Sequence, residues 1–224
     1  MSVEKINTVI VGAGQAGIAM SEHLAQMQIP HVVLERSRIA ERWRSERWDS
    51  LVANGPAWHD RFPSLKFDNI SPEAFPPKER MAQYFEDYAK MLNAPVRTGV
   101  EVQQVTRLPG RSGFRVVTSV GEFDADNVVA ATGPFQKPAF PAIVPAGAVP
   151  QQIHSSAYKN PQQLAPGAVL VVGAGASGTP RSPRSCVRSV ARCFCRSAST
   201  TARHAPIATV ITAGGLARWG CGTK

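Results

Sequence analysis

The sequence predicts an α/β protein: a Rossmann-like, doubly wound parallel sheet, then the start of a second, inserted unit of the same kind. Three observations carry that expectation. Residues 6–11 (INTVIV) and Ala168–Val172 (AVLVV) are short apolar runs of the kind shown by strands buried on both faces. Each runs straight into a Gly-x-Gly-x-x-Gly motif, at Gly12–Gly17 and again at Gly173–Gly178. The first motif is followed by a helical segment, a second strand and an acid at that strand's end.

The elements follow in order. Residues 18–28 read as a helix with Ile18, Met20, Leu24, Ala25 and Met27 on a broad apolar side, stopped by Pro30. His31–Glu35 (HVVLE) is the second strand, and Glu35 stands 23 residues after Gly12. This is the dinucleotide fingerprint in the context it requires. In the loop Gly12-Ala13-Gly14-Gln15-Ala16-Gly17, Gly12 allows the tight turn. Gly14 leaves room for a pyrophosphate against the backbone, and Gly17 lets the helix pack closely on the strand. The helix N-terminus offers free N–H groups to phosphates, and Glu35 can accept hydrogen bonds from ribose hydroxyls.

Residues 40–51 form an Arg/Trp-rich stretch around Trp43 and Trp48, readable as a solvated helix with its tryptophans pinned to the core. Asn54-Gly55-Pro56 and Phe62-Pro63 mark loops. Residues 78–92 have Met81, Tyr84, Phe85, Tyr88, Met91 and Leu92 at helical spacing, an amphipathic helix whose stripe belongs to the core. Residues 96–105 read as a strand, and residues 113–119 with 122–126 as a hairpin about Val120-Gly121. Residues 127–131 (NVVAA) are a further buried strand ending in Thr132-Gly133-Pro134, small residues that let the chain pass close to a cofactor. An extended linker at residues 137–141, and His154 and Tyr158 in a loop, lead to AVLVV and the second glycine motif.

Composition and charge divide the 224 residues in two. Residues 1–179 hold 17 Lys and Arg and all 16 acids; residues 180–224 hold the other 8 basic residues, no acid and all four cysteines. The net charge of +9 therefore describes neither part and does not point to nucleic acid. The tail has no RNA-binding or helix-turn-helix pattern, and Cys193-Phe194-Cys195 with a distant Cys221 is not a zinc spacing, so no metal is expected. No apolar run approaches the roughly 20 residues of a membrane span, and the N-terminus lacks a secretory pattern; the cytoplasm is the expected compartment.

In combination, VIVGAGQAG, the HVVLE acid, the WR-x2-RWDSL stretch, ATG-x4-Pro-x2-Pro, His-x3-Tyr and VVGAGASG resemble the N-terminal part of a bacterial flavin-containing monooxygenase. They are also similar to the wider two-dinucleotide flavoprotein group that includes the indole-pyruvate monooxygenases. The resemblance covers residues 6–179. It implies FAD on Gly12, Gly14 and Gly17, with its ribose on Glu35, Trp43 flanking it and Thr132-Gly133 close by. It implies NADPH on Gly173, Gly175, Ser177 and Gly178. NADPH would reduce the flavin, and O₂ would supply the oxygen delivered to a small organic substrate. No protein nucleophile is required, and no catalytic side chain is singled out. One departure stands out: Ala148 and Pro150 occupy positions where the family's motif has Phe and Gly ahead of its His and Tyr.

The resemblance also expects a helix after the second motif, and Pro183 sits in its first turn. Residues 180–186 can be encoded so that a shifted frame reads Gln-Ile-Ala-Glu-Glu-Leu, a good helix start. Residues 192–198 and 213–223 similarly permit a buried strand and a Trp-rich run. The expectation is an out-of-frame tail of low order, with at most short accidental helix or strand, after an FAD domain over residues 1–150 and the start of an NADPH domain over 151–179. Such a chain would be truncated and inactive as an oxygenase. A disulfide-reductase-like flavoprotein is an alternative, although residues 1–179 contain no cysteine for a redox pair. A non-catalytic FAD-binding fragment or pseudogene product is another.

Overall fold

The computed structural model describes residues 3–133, 137–140, 145, 147–166, 168–172, 193–196 and 209–213. They fall into two compact units: residues 1–45 with 52–136, and residues 46–51 with 137–224.

The first unit contains β1 (Val3–Val11), α1 (Gln15–Gln26), β2 (His31–Glu35), α2 (Glu41–Ser45), α3 (Lys78–Met91), β3 (Val96–Thr98), β4 (Val102–Arg107), β5 (Phe114–Thr118) and β6 (Glu122–Ala130). Its six-stranded sheet has the order β3-β2-β1-β6-β5-β4. β1 lies parallel to β2 (Thr8↔His31 to Val11↔Leu34) and parallel to β6 (Val3↔Glu122 to Val11↔Ala130). The continuous apolar runs follow from burial on both faces. Val9, Val32 and Leu34 join Val100, Val116 and Phe123 in one cluster, while their neighbours Ile10 and Val33 join Met20, Leu24 and Ile39 in another. Alternate side chains thus feed opposite layers. Each fully buried aliphatic chain there contributes about 1.5–3 kcal/mol.

Several elements differ from the sequence reading. α1 begins three residues earlier, at Gln15. Its buried side is Gly17, Ile18, Ser21 and Glu22, while Met27 and Ala25 are exposed. Residues 96–105 are two strands on opposite edges of the sheet, because the chain turns at Gly99 with φ +73° and Val100 N–H bonds to the Glu35 carbonyl. Residues 122–131, read as two strands, are one. The first half of β6 pairs antiparallel with β5 (Phe114↔Ala125 to Val117↔Glu122), and β1 runs beside it throughout. α3 buries Met81, Tyr84, Phe85 and Tyr88 as its spacing predicts, but Met91 is exposed.

The second unit contains β7 (Gln151–His154), β8 (Ala168–Val172), β9 (Cys193–Arg196) and β10 (Thr209–Ala213) in the order β7-β10-β8-β9. β10 is antiparallel to β7 and β8; β8 and β9 are parallel, with Val169↔Cys193. Segment 46–51 joins it through Asp49 N–H to the Lys159 carbonyl (2.8 Å) and Asn160 Nδ2–H to the Asp49 carboxylate (2.8 Å). Of residues 180–224, only β9 and β10 are described.

Candidate functional site

Three strand ends converge on the first glycine loop. Gly12 N–H donates to the Leu34 carbonyl (2.8 Å), and Ala131 N–H donates to the Val11 carbonyl (2.9 Å). Gly12 takes φ +105°, and a Cβ there would stand 2.7 Å from the Ala131 carbonyl oxygen. At Gly17 a Cβ would overlap the Gly12 carbonyl oxygen. Gly14 behaves differently: its backbone is extended, and a Cβ there meets nothing within 4 Å. Two glycines are therefore demanded by the protein's own packing, and the third faces open space. Beside Gly14, exposed Gln15 and Ala16 open α1, whose first-turn N–H groups have no carbonyl partner inside the helix.

Glu35 braces this loop. Its Oε2 accepts the Ala13 N–H and its Oε1 accepts the Ser37 N–H, each at 2.9 Å. Both oxygens keep further lone pairs that a vicinal diol can use. α2 is tied to the same loop by Ala40 N–H to the Ala13 carbonyl (3.2 Å). It presents half-buried Trp43 against Phe85 of α3, with ring centroids 6.2 Å apart. On α2 as well, Arg44 pairs with Glu86 of α3 at 2.6 Å and leaves its buried Nε–H without an acceptor among the described residues. Gly133 has φ +79°, and the Arg42 guanidinium lies 3.9 Å from where its Cβ would be. Thr132, Gly133 and Arg42 are each held by interactions within the protein.

A cavity of about 240 Å³ is lined by Gln15, Trp43, Asn54, Asp60, Phe62 and Tyr84, among others. The sequence marks Asn54 only as a loop residue and does not single out Asp60; no spacing rule points to either. A larger groove, about 430 Å³, lies at the start of β1, lined by Lys5, Asn7, Arg111 and Asp124. Its Asp124 is already paired with Arg111 and Arg115, and it is at the opposite end of β1 from Gly12, so the smaller cavity is the one beside the loop chemistry. The Asp124 carboxyl is held below the usual range, first by its hydrogen bond from Arg115.

His154 forms part of a turn. Its carbonyl accepts the Ala157 and Tyr158 N–H groups, and its Nδ1 accepts the Ser156 N–H at 3.2 Å. Burial pushes its imidazole down from the ordinary value. Gly173, Gly175, Ser177 and Gly178, and Pro134, lie outside the described residues. Among the described residues no group of three or more His, Cys, Asp or Glu could hold a metal, and no helix is long and apolar enough to cross a membrane.

The strand, glycine loop, helix and acid-tipped strand define the first unit as a Rossmann-like dinucleotide-binding fold. The profile of the pyridine nucleotide-disulphide oxidoreductase family matches residues 9–182, and the chain belongs to that family of flavin-dependent oxidoreductases. It is 39% identical over 175 residues to an uncharacterised CzcO-like oxidoreductase of Geobacillus kaustophilus, covering 77% of this chain and 49% of that protein. It is 33% identical over 177 residues to the probable indole-3-pyruvate monooxygenase YUCCA1 of Arabidopsis thaliana, covering 76% and 42%. A flavin monooxygenase variant from Stenotrophomonas maltophilia superposes with a TM-score of 0.70 at 26% identity, covering 79% of this chain and 53% of that one. The bacillithiol disulfide reductase of Staphylococcus aureus shares the fold at a TM-score of 0.66 and 17% identity. The chain spans about half the length of the curated relatives it matches.

Proposed function

We propose that this chain is the FAD-binding half of an NADPH-using flavin monooxygenase that oxygenates a small organic substrate with O₂ in the cytoplasm. The observation that carries the reading is the open space at Gly14, set between the first turn of α1 and the Glu35 carboxylate. A pyrophosphate needs that combination of bare backbone, free N–H groups and a nearby ribose acceptor. Gly12–Gly17 would hold the diphosphate and Glu35 the adenosine ribose. Trp43, Thr132 and Gly133 would line the path of the cofactor, with its ring system toward the cavity at Gln15 and Asn54. The flavin, when bound, supplies the two-electron and oxygen chemistry. The protein's part is to orient it: Trp43, Phe62, Met81 and Phe85 offer apolar surface to a ring system, and Gln15, Asn54, Asp60 and Arg61 offer polar groups along the same cavity.

NADPH on Gly173, Gly175, Ser177 and Gly178 completes the reading. A disulfide-reductase activity is disfavoured, since residues 1–179 contain no cysteine. Residues 180–224 are best read as out of frame: the family match ends at residue 182, and all four cysteines lie beyond it. On this reading the chain binds FAD without sustaining oxygenation, for Pro180 and Pro183 oppose the helix that the second loop requires. The test is to purify the chain, record flavin absorption and follow NADPH oxidation in air. A bound FAD with negligible turnover is expected. A chain that cannot be loaded with FAD refutes the cofactor assignment, and a turnover of about 1 s⁻¹, typical of working enzymes, refutes the inactivity.

A further inference from the structure

The cavity beside Trp43 is lined by three titratable side chains, Asp60, Arg61 and Tyr84, and only one of them is placed to pass a proton. Tyr84 already donates its O–H to the Leu65 carbonyl (2.7 Å) and accepts the Phe62 N–H (2.7 Å). The Arg61 guanidinium donates to the carbonyls of Trp58 and Pro63, and an arginine does not deprotonate in proteins. Asp60 remains. Its Oδ2 accepts the Gly55 N–H at 2.6 Å, which fixes the carboxylate in the loop. Its Oδ1 lies 2.7 Å from His59 Nδ1. The His59 side chain is 65% exposed, against 25% for Asp60. An imidazole open to water is thus hydrogen-bonded to a carboxylate that reaches the cavity wall. Imidazole both takes up and releases protons near neutral pH, which suits the outer member of such a pair.

We propose that His59 and Asp60 are a proton-delivery pair from solvent to the cavity; the proposal rests on the FAD reading above. His59, protonated on both nitrogens, gives its Nδ1 proton to Asp60 and keeps the one on Nε2; Asp60 gives the proton it received into the cavity, and the exposed ring takes its replacement at Nδ1 from water. The demand arises whenever reduced flavin meets O₂. Reduced FAD, held by Gly12–Gly17 and Glu35, would supply a hydride equivalent to O₂, and one further proton, from outside the cofactor, would be needed to complete H₂O₂. That last proton is the one the pair supplies. His59 and Asp60 are positioned for this by Asn54-Gly55-Pro56, because His59 and Asp60 N–H groups both donate to the Pro56 carbonyl (2.9 Å each).

The experiment uses the whole chain loaded with FAD, reduced anaerobically with dithionite and mixed with aerated buffer, with reoxidation followed by flavin absorbance. The variants are His59→Gln and Asp60→Asn; the asparagine can still accept the Gly55 N–H. Both are expected to reoxidise about tenfold or more slowly at neutral pH. Imidazole buffer should restore His59→Gln and leave Asp60→Asn slow. FAD affinity, read from quenching of flavin fluorescence, should stay within about twofold of the parent, as expected when no cofactor hydrogen bond is removed. Unchanged rates, no rescue by imidazole, or a loss of affinity that parallels the loss of rate would each overturn the pair. A parent chain that takes up no FAD overturns the cofactor reading itself, and this proposal with it.

Discussion

Replacing Glu22 by glutamine tests how α1 is held. Glu22 is 4% exposed and sits between α1, α3 and the loop at residues 62–67. Its Oε2 accepts the Tyr88 O–H at 2.5 Å; its Oε1 accepts the Ser64 O–H at 2.7 Å and a longer contact from Gln26. Burial, the largest influence, pushes its carboxyl up. The Ser64 and Tyr88 hydrogen bonds, with the nearby His23, outweigh that and leave it below the ordinary value. A glutamine has one acceptor oxygen, so it can keep Ser64 while turning an N–H₂ toward the fully buried Tyr88 hydroxyl. One hydrogen bond to a charged group is lost, about 1.5–3 kcal/mol. With a urea slope of about 1–3 kcal/mol per molar, the unfolding midpoint should fall by about 1 M. The sign of the pH dependence follows from the depressed carboxyl. Its contribution is present above the usual carboxylate range, near about pH 4.3, and is lost as pH falls through the lower folded value. The gap between parent and variant should hold at neutral pH and close in strong acid. Equal midpoints at neutral pH, or a gap that persists undiminished in strong acid, would refute the account. At the other end of the scale, the Tyr88 phenol is pushed up to about 12, first by burial and then by Glu22. A raised folded value stabilises below the unfolded one, so the parent should weaken as pH rises between about 10 and 12.

Two further outcomes separate packing from binding. Gly14→Val should leave the unfolding midpoint near that of the parent while weakening FAD binding, measured by fluorescence quenching. Gly17→Val should lower the midpoint itself, because its side chain must displace the Gly12 carbonyl. Ile10→Ala, at a fully buried position between β2 and β6, should cost about 2–5 kcal/mol in urea unfolding; a loss below about 1 kcal/mol would mean that the layer beneath α1 is looser than its burial implies.

The central strands were legible because burial on both faces leaves an unbroken apolar run, and the glycine spacing because backbone geometry admits little else. The rest depended on contacts that carry no period. A hydrophobic count places Met27 inward and is silent about Ser21 and Glu22, yet these are the buried ones. Ser21 bonds His31 Nε2 at 2.8 Å, and Glu22 gathers Tyr88 and Ser64, so polar partners far along the chain set which way α1 faces. Likewise β6 reads as two strands because Asp124 and Asp126 interrupt its apolar pattern. Arg111 and Arg115 neutralise the first, and Asn7 bonds the second at 3.1 Å.

The cavity wall shows the same limit from the functional side. Residues 52–77 contain no helix and only an isolated bridge, Val52 to Pro77, but the segment is closed by its own backbone. Ala53 N–H donates to the Pro76 carbonyl, Ala57 N–H to that of Ala74, and Trp58 N–H to that of Pro72. Phe62 then stacks on Tyr88 at 4.1 Å, and Phe67 on Tyr84 at 4.1 Å. The regular stripe of α3, which the sequence displays openly, is therefore the surface on which an irregular loop is cast. That loop supplies Asn54 and Asp60 opposite the glycine motif. The glycine spacing of the first loop is plain in the sequence; the cavity residues Asn54 and Asp60 are placed by a loop that only the packing against α3 can fix.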